Sequence, residues 1–339
     1  VHYNSDKIQN PGNWIELTNY GNSNIDISEW KLNTNIRWIK YQFAEGTTIP
    51  ANTRWILCSD TNLFRKQYSN VTAPLIQTAI ELGNSKEDID IIDNQGKTVI
   101  SIHYTDAQPW PLAADGYGRN MELINDTLLA SNPANWRNGC MRGSPGASFS
   151  KCSEFIKVSE INYHPPKFAA SGDWFELHNH TAATIDLSNY LVRNKNNFIN
   201  FVFPTNTKIV AGGRLVCVGD TTAFKTVNPT VNAFVSLQGM DLSNGFDVIR
   251  IFTPSDSLVF SVAYDDKGTF TQKADGQGYS LELKDSADDF SEGSSWFSAC
   301  MGGSPGTTPA NCIGGILFTE INYKAVSYTH LTLPTNREV

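Results

Sequence analysis

The sequence contains no run of lysine or arginine. Its 26 basic side chains are scattered among 34 acidic ones over 339 residues, for a net charge of −8. That balance argues against sequence-independent binding to a phosphate backbone, so no nucleic-acid partner is expected. Long apolar runs are also missing, which excludes a helical membrane span, and no signal peptide is visible. None of the six cysteines falls in a Cys-x-x-Cys pair. No nucleophile elbow, P-loop, zinc-hydrolase helix or EF-hand spacing occurs. These absences leave no catalytic constellation, and no enzymatic activity or resident cofactor is expected.

What is present is repetition. Asn13-Trp14-Ile15-Glu16-Leu17-Thr18-Asn19 returns 160 residues later as Asp173-Trp174-Phe175-Glu176-Leu177-His178-Asn179. Cys140-Met141-Arg142-Gly143-Ser144-Pro145-Gly146 returns as Cys300-Met301-Gly302-Gly303-Ser304-Pro305-Gly306, and Ile161-Asn162-Tyr163 has counterparts in Val1-His2-Tyr3 and Ile321-Asn322-Tyr323. A fixed period identifies the building block before any fold is assigned. It divides the chain into copy 1, residues 1–152, and copy 2, residues 153–312. Copy 1 carries 13 basic and 15 acidic side chains, net −2; copy 2 carries 11 and 17, net −6. With 11% aromatic and 40% hydrophobic residues, each copy can bury a core.

Within a copy the elements read as short strands between turn residues, with little helical periodicity. Trp14 to Thr18 and Trp174 to His178 alternate about a strand axis, placing Ile15/Leu17 and Phe175/Leu177 on the core face. Arg54-Trp55-Ile56-Leu57 and Arg214-Leu215-Val216-Cys217 are β-rich runs that end at Asp60 and Asp220. The runs at 89–92 and 99–102, and their counterparts at 248–252 and 259–262, read as hairpins. Cys58 and Cys217 fall one position out of step between copies, so they should point to opposite sides of their sheets and act as small hydrophobes. Seven or more short strands per copy indicate an antiparallel sandwich or barrel.

The ordered motifs carry a family resemblance. Glu-Ile-Asn, then Trp-[Ile/Phe]-Glu-Leu-x-Asn, Ile-Asp-[Ile/Leu]-Ser-x-aromatic, Asp-Gly-x-Gly-x-x-x-Glu-Leu, a Trp, and Gly-Ser-Pro-Gly resemble the lamin tail domain family, twice over. The resemblance implies an all-β chain of tandem immunoglobulin-like β-sandwich domains. With its paired cysteines, and with no coiled-coil rod or nuclear localisation run, it is similar to bacterial secreted members rather than to nuclear lamins. Such members recur in large surface or exported proteins, sometimes beside hydrolase, nuclease or spore-coat kinase-like domains.

Several residues are candidates for chemistry. Cys140 and Cys152 recur as Cys300 and Cys312 with identical spacing, and are expected as one structural disulfide per copy; free thiols or a metal or redox pair are the alternatives. A disulfide would stabilise each copy by about 3 kcal/mol and would place the chain outside a reducing cytosol. Trp14 and Glu16 share one strand face, as do Trp174 and Glu176. They form a candidate ligand face for a glycan or basic peptide, although a covering loop whose N–H groups the glutamates accept is the favoured reading. His178 and His180 share a strand face as in some metal sites, but their counterparts are Thr18 and Tyr20. Asp115-Gly116-Tyr117-Gly118 and Asp275-Gly276-Gln277-Gly278 read as turns; calcium is the alternative there, with Asp265, Asp266, Asp288 and Asp289 adding acidity in copy 2.

Copy 1 has no counterpart of Phe155-Ile156-Lys157-Val158-Ser159-Glu160, so its first strand is expected upstream of the sequence, with any export signal. Residues 313–325 read as the opening strand of a third copy. Residues 326–339 resemble the in-frame translation of a sequencing adaptor. The expected function is non-catalytic binding, adhesion or spacing at the cell surface or outside the cell, as part of a larger exported bacterial protein with an unidentified glycan or protein ligand. The alternative is an accessory role beside the catalytic domain of a secreted enzyme.

Overall fold

The computed structural model describes residues 1–5, 10–35, 40–149, 152–196, 201–287 and 289–309. The expected third-copy strand, the adaptor-like tail and Cys312 lie outside the described residues.

Copy 1 is built from β1 (Trp14–Asn19), β2 (Lys31–Thr34), β3 (Lys40–Gln42), β4 (Thr53–Cys58), α1 (Thr61–Gln67), β5 (Leu75–Gln77), β6 (Lys86–Ile92), β7 (Thr98–Thr105), β8 (Met121–Leu123) and β9 (Trp136–Asn138). Copy 2 repeats the order with β10 (Lys157–Asn162), β11 (Trp174–His178), β12 (Leu191–Arg193), β13 (Phe201–Val202), β14 (Arg214–Val218), α2 (Thr221–Val227), β15 (Phe234–Ser236), β16 (Asp247–Phe252), β17 (Leu258–Tyr264), β18 (Leu281–Leu283) and β19 (Trp296–Phe297). In copy 2 a six-stranded sheet, β15-β14-β11-β10-β18-β19, packs on a four-stranded sheet, β13-β12-β16-β17. Copy 1 has the same four-stranded sheet, β3-β2-β6-β7. Its other layer is divided into β1-β4-β5 and the separate pair β8-β9. This is the expected all-β arrangement of tandem sandwiches, and β6–β7 and β16–β17 form the expected hairpins.

Alternation along β11 explains the core. Phe175 and Leu177 point between the sheets with Ile161, Val192, Ile251 and Phe260, all buried. Ile15, Leu32, Phe43, Ile89 and Ile91 do the same in copy 1. Cys217 joins the inter-sheet core of copy 2, whereas Cys58 sits on the outer side of its sheet under α1, as the one-position offset requires.

The helices are absent from the sequence reading. Each is only seven residues long, too short for a periodic pattern, and carries a parallel crossover from β4 to β5 or from β14 to β15. Their one local signal is the cap. The Asp60 carboxylate accepts the N–H groups of Asn62 and Leu63, and Asp220 accepts that of Ala223. Phe64 and Phe224 are the single buried residues of the two helices.

Candidate functional site

The repeated Trp and Glu lie on the outer face of β1 and β11, under the short helices. Trp14 meets Phe64 and Tyr68 edge-on at 5.9 and 6.0 Å, and Trp174 meets Phe224 at 5.9 Å. Both indoles are buried. The glutamates are consumed as well. Gly306 N–H donates to Glu176 Oε2 at 2.6 Å, while Arg214 Nη1 and Ser159 Oγ donate to Oε1 at 2.5 and 2.6 Å. In copy 1, Gly146 N–H and Arg54 Nη1 donate to Glu16, each at 2.6 Å. Glu176 is buried together with its indole, whereas Glu16 stays partly exposed beside a buried Trp14. The crossover helix covers the rings, and the Gly-Ser-Pro-Gly segment closes over the carboxylates.

The rest of the repeated motif serves the same closure. Gly143, Gly146, Gly303 and Gly306 have φ of 72°, 82°, 76° and 84°, which explains why glycine brackets Ser-Pro. Ser304 N–H donates to Glu160 Oε1 at 2.8 Å, and Ser304 Oγ donates to Glu282 Oε2 at 3.0 Å. Burial pushes the Glu160 carboxyl up to about 8. Asn19 and Asn179 each send Nδ2 to three backbone carbonyls of the following turns, at 2.7 to 3.1 Å.

A second polar cluster joins the copies. Arg119, 4% exposed, donates from Nη2 and Nε to the Ser261 carbonyl at 2.7 and 3.1 Å, and from Nη1 to the Gly139 carbonyl at 3.0 Å. Its Nη2 also lies 2.9 Å from Glu154 Oε1. Asn138 N–H and Nδ2 donate to Asp289 Oδ2 at 2.8 and 3.1 Å; burial raises the Asp289 carboxyl, and these bonds and Arg119 oppose that rise. Around this centre Leu112 and Ala113 of copy 1 enter the core of copy 2, and the Tyr117 ring meets Phe246 at 6.0 Å. Gly118 lies so close to Leu258 that a side chain there would displace it.

The family model described as Lamin Tail Domain matches residues 1–106 and 153–266, more than half of the chain. The chain belongs to the lamin tail domain family. That family is immunoglobulin-like and non-catalytic. No curated protein matches the sequence. The crystal structure of a DUF4876 family protein from Bacteroides thetaiotaomicron VPI-5482 is similar at 9% identity, over 86% of this chain and 94% of that chain. The TM-score between the two is 0.28.

In this lamin tail domain pair Cys140 and Cys152 are joined by a disulfide, with a Cα–Cα distance of 5.1 Å. Cys300 is also disulfide-bonded, and Cys312, the partner expected for it, lies outside the described residues. Cys58 and Cys217 are free and buried, and burial raises both thiols, Cys58 to about 11. His180 Nε2 lies 2.6 Å from the Glu154 carbonyl, and burial lowers His178. Asp115 accepts from Asn4 at 2.7 Å and Asp275 contacts His164 Nδ1 at 2.6 Å, so the Asp-Gly turns are tied to the chain before β1 and β11. Asp265 accepts Gln108 Nε2 across the junction at 3.2 Å, and Asp288 lies outside the described residues. Among the described residues no three His, Cys, Asp or Glu side chains converge as metal ligands.

Arg119, Asn138, Glu154 and Asp289 escaped the sequence reading because comparison of the copies selects what both require. Their counterparts are Tyr279, Ser298, Gly314 and Leu129. The available signal was the opposite one. Pro111-Leu112-Ala113-Ala114 is apolar where copy 2 has Thr271-Gln272-Lys273-Ala274, a contrast that marks a covered surface.

Proposed function

We propose that the two lamin tail domain copies work as one stiff, non-catalytic spacer or adhesion module of an exported bacterial protein. Burial of the Arg119 guanidinium between the copies carries this reading. A guanidinium removed from water is tolerated only where its donors are matched, and here they meet two carbonyls and a carboxylate. Such matching fixes one relative arrangement, the property a spacer needs and a flexible linker lacks.

The Cys140–Cys152 disulfide supports a setting outside the reducing cytosol. No helix among the described residues is long and apolar enough to cross a membrane. The repeated Trp, Glu, Asn and Gly residues all hold the sandwich together, so a glycan or protein ligand would be taken by copy-specific loops. Backbone 15N relaxation tests the reading: both copies should report one overall tumbling time. Two separate tumbling times would refute a stiff pair.

A further inference from the structure

The Cys140–Cys152 bridge closes a loop whose two ends both belong to the junction. On the outgoing side β9 ends at Asn138, which holds Asp289, and the next carbonyl, that of Gly139, accepts Arg119 Nη1 at 3.0 Å. Cys140 follows directly, and Met141 Sδ then lies 3.5 Å from Ser261 Oγ of copy 2. On the returning side Glu154 stands two residues after Cys152 and meets Arg119 Nη2 at 2.9 Å. His180 Nε2 lies 2.6 Å from the Glu154 carbonyl, and Ile156 and Val158 enter the copy 2 core fully buried.

Between those ends the chain leaves the junction. The Arg142 carbonyl accepts Tyr68 Oη at 2.7 Å, Ser144 N–H and Oγ donate to Glu122 at 2.8 Å each, and Gly146 N–H donates to Glu16. These contacts serve copy 1. The bridge, with a separation of 12 residues and a Cα–Cα distance of 5.1 Å, brings the chain back beside Arg119. With the bridge closed, the path from β9 to β10 passes from Cys140 straight to Cys152 and on through residues 153–156. With it open, the path takes in all of residues 139–156. Both bridged cysteines are partly exposed, so a thiol reagent can reach them, whereas Cys300 is 7% exposed.

We propose that this bridge is a redox-sensitive brace of the joint. Oxidised, it holds the two copies as one stiff body; reduced, it lets them move independently while both sandwiches stay folded. The proposal rests on the stiff-pair reading of the Arg119 cluster. The reductant is a dithiol. One of its thiolates attacks a cysteine sulfur, the Sγ–Sγ bond breaks and the other cysteine leaves as a thiol. The second thiolate then closes the reagent's own disulfide and releases the remaining cysteine, so two electrons and two protons end on Cys140 and Cys152. Lengthening the path between the copies lowers their effective concentration at the junction roughly sevenfold, by the −3/2 power of linker length. Gly139 and Glu154 also lose their fixed placement, so Arg119 has to find them as separately moving partners.

Backbone 15N relaxation of the oxidised wild type and of Cys140→Ser with Cys152→Ser tests this. The wild type should show one tumbling time and the variant two, with dispersed amide spectra from both copies. Cys300→Ser with Cys312→Ser, which leaves the junction bridge closed, should keep one. Wild type treated with dithiothreitol under native conditions, its open bridge verified by alkylation and peptide mass, should behave as the first variant does and recover on reoxidation. One tumbling time in both the wild type and the first variant would overturn the brace and leave the stiff pair standing. Two tumbling times in the oxidised wild type would sink the stiff pair itself and the brace with it. A first variant whose copy 1 spectrum collapses would also overturn the proposal, because the bridge would then hold its own sandwich rather than the joint.

Discussion

Glu176 Oε2 accepts the N–H of Gly306 across 130 residues of sequence at 2.6 Å, and Glu16 Oε2 accepts that of Gly146 across the same separation at the same distance. One carboxylate in each copy thus ties the Trp-x-Glu strand to the Gly-Ser-Pro-Gly segment. The strength of the tie differs between copies. Glu176 is fully buried, and among the described residues it pairs with Arg214. Glu16 is partly exposed, and its partner Arg54 also holds Asp126 at 2.5 Å and Ser148 at 2.8 Å.

Glu176→Ala should therefore destabilise copy 2 by roughly 3–5 kcal/mol, because it leaves a guanidinium and a backbone N–H unmatched in a dry site. Glu16→Ala should cost less, since Arg54 keeps Thr18, Asp126 and Ser148 as partners. Urea denaturation followed by tryptophan fluorescence compares the two.

Trp174→Ala should cost about 3–5 kcal/mol by opening a cavity beneath α2, with Trp174→Phe much milder. Glycan binding measured in parallel separates packing from recognition. A folded variant that loses a glycan signal given by the wild type would show that the indole touches ligand.

Most of the sandwich is legible in the sequence, because two-residue alternation in Trp14 to Thr18 and Trp174 to His178 fixes which face each side chain takes. The crossover helices are not, since a seven-residue helix spans barely two turns of pattern, and each is held by Phe64 or Phe224 packing over the indole. The Trp–Glu pairs were readable as one face, with a covering loop as the favoured reading; which residues cover them was not legible, because Gly146 and Gly306 lie 130 residues away in sequence. The junction was the least legible part. Arg119 has its partners at Gly139, Glu154 and Ser261, and no local pattern announces a contact of that range.

Stability should fall as pH rises from about 5 to about 8. The Glu160 carboxyl sits at about 8 in the folded chain, against 4.5 ordinarily, because burial disfavours its charge. A folded-state value above the unfolded one gives stability that is complete below the unfolded value and is lost as pH passes through the folded one. Glu122 and Asp289 are raised by burial too and act in the same direction. Melting temperature against pH should slope downward over this window, and Glu160→Gln should flatten the slope.

Alkylation of the unfolded, unreduced chain should label two thiols, Cys58 and Cys217. Intact mass checks the count. Replacing Cys140 and Cys152 by serine should destabilise copy 1 by about 3 kcal/mol, the loop-closure value for a bridge of this short span.

Differential scanning calorimetry of the wild type and Arg119→Ala tests the coupling of the copies most directly. Losing Arg119 leaves the Ser261 and Gly139 carbonyls and Glu154 unmatched at the junction. The wild type should unfold in a single cooperative transition, and Arg119→Ala should split it into two. A thermogram that Arg119→Ala leaves unchanged would contradict a stiff pair held at that residue.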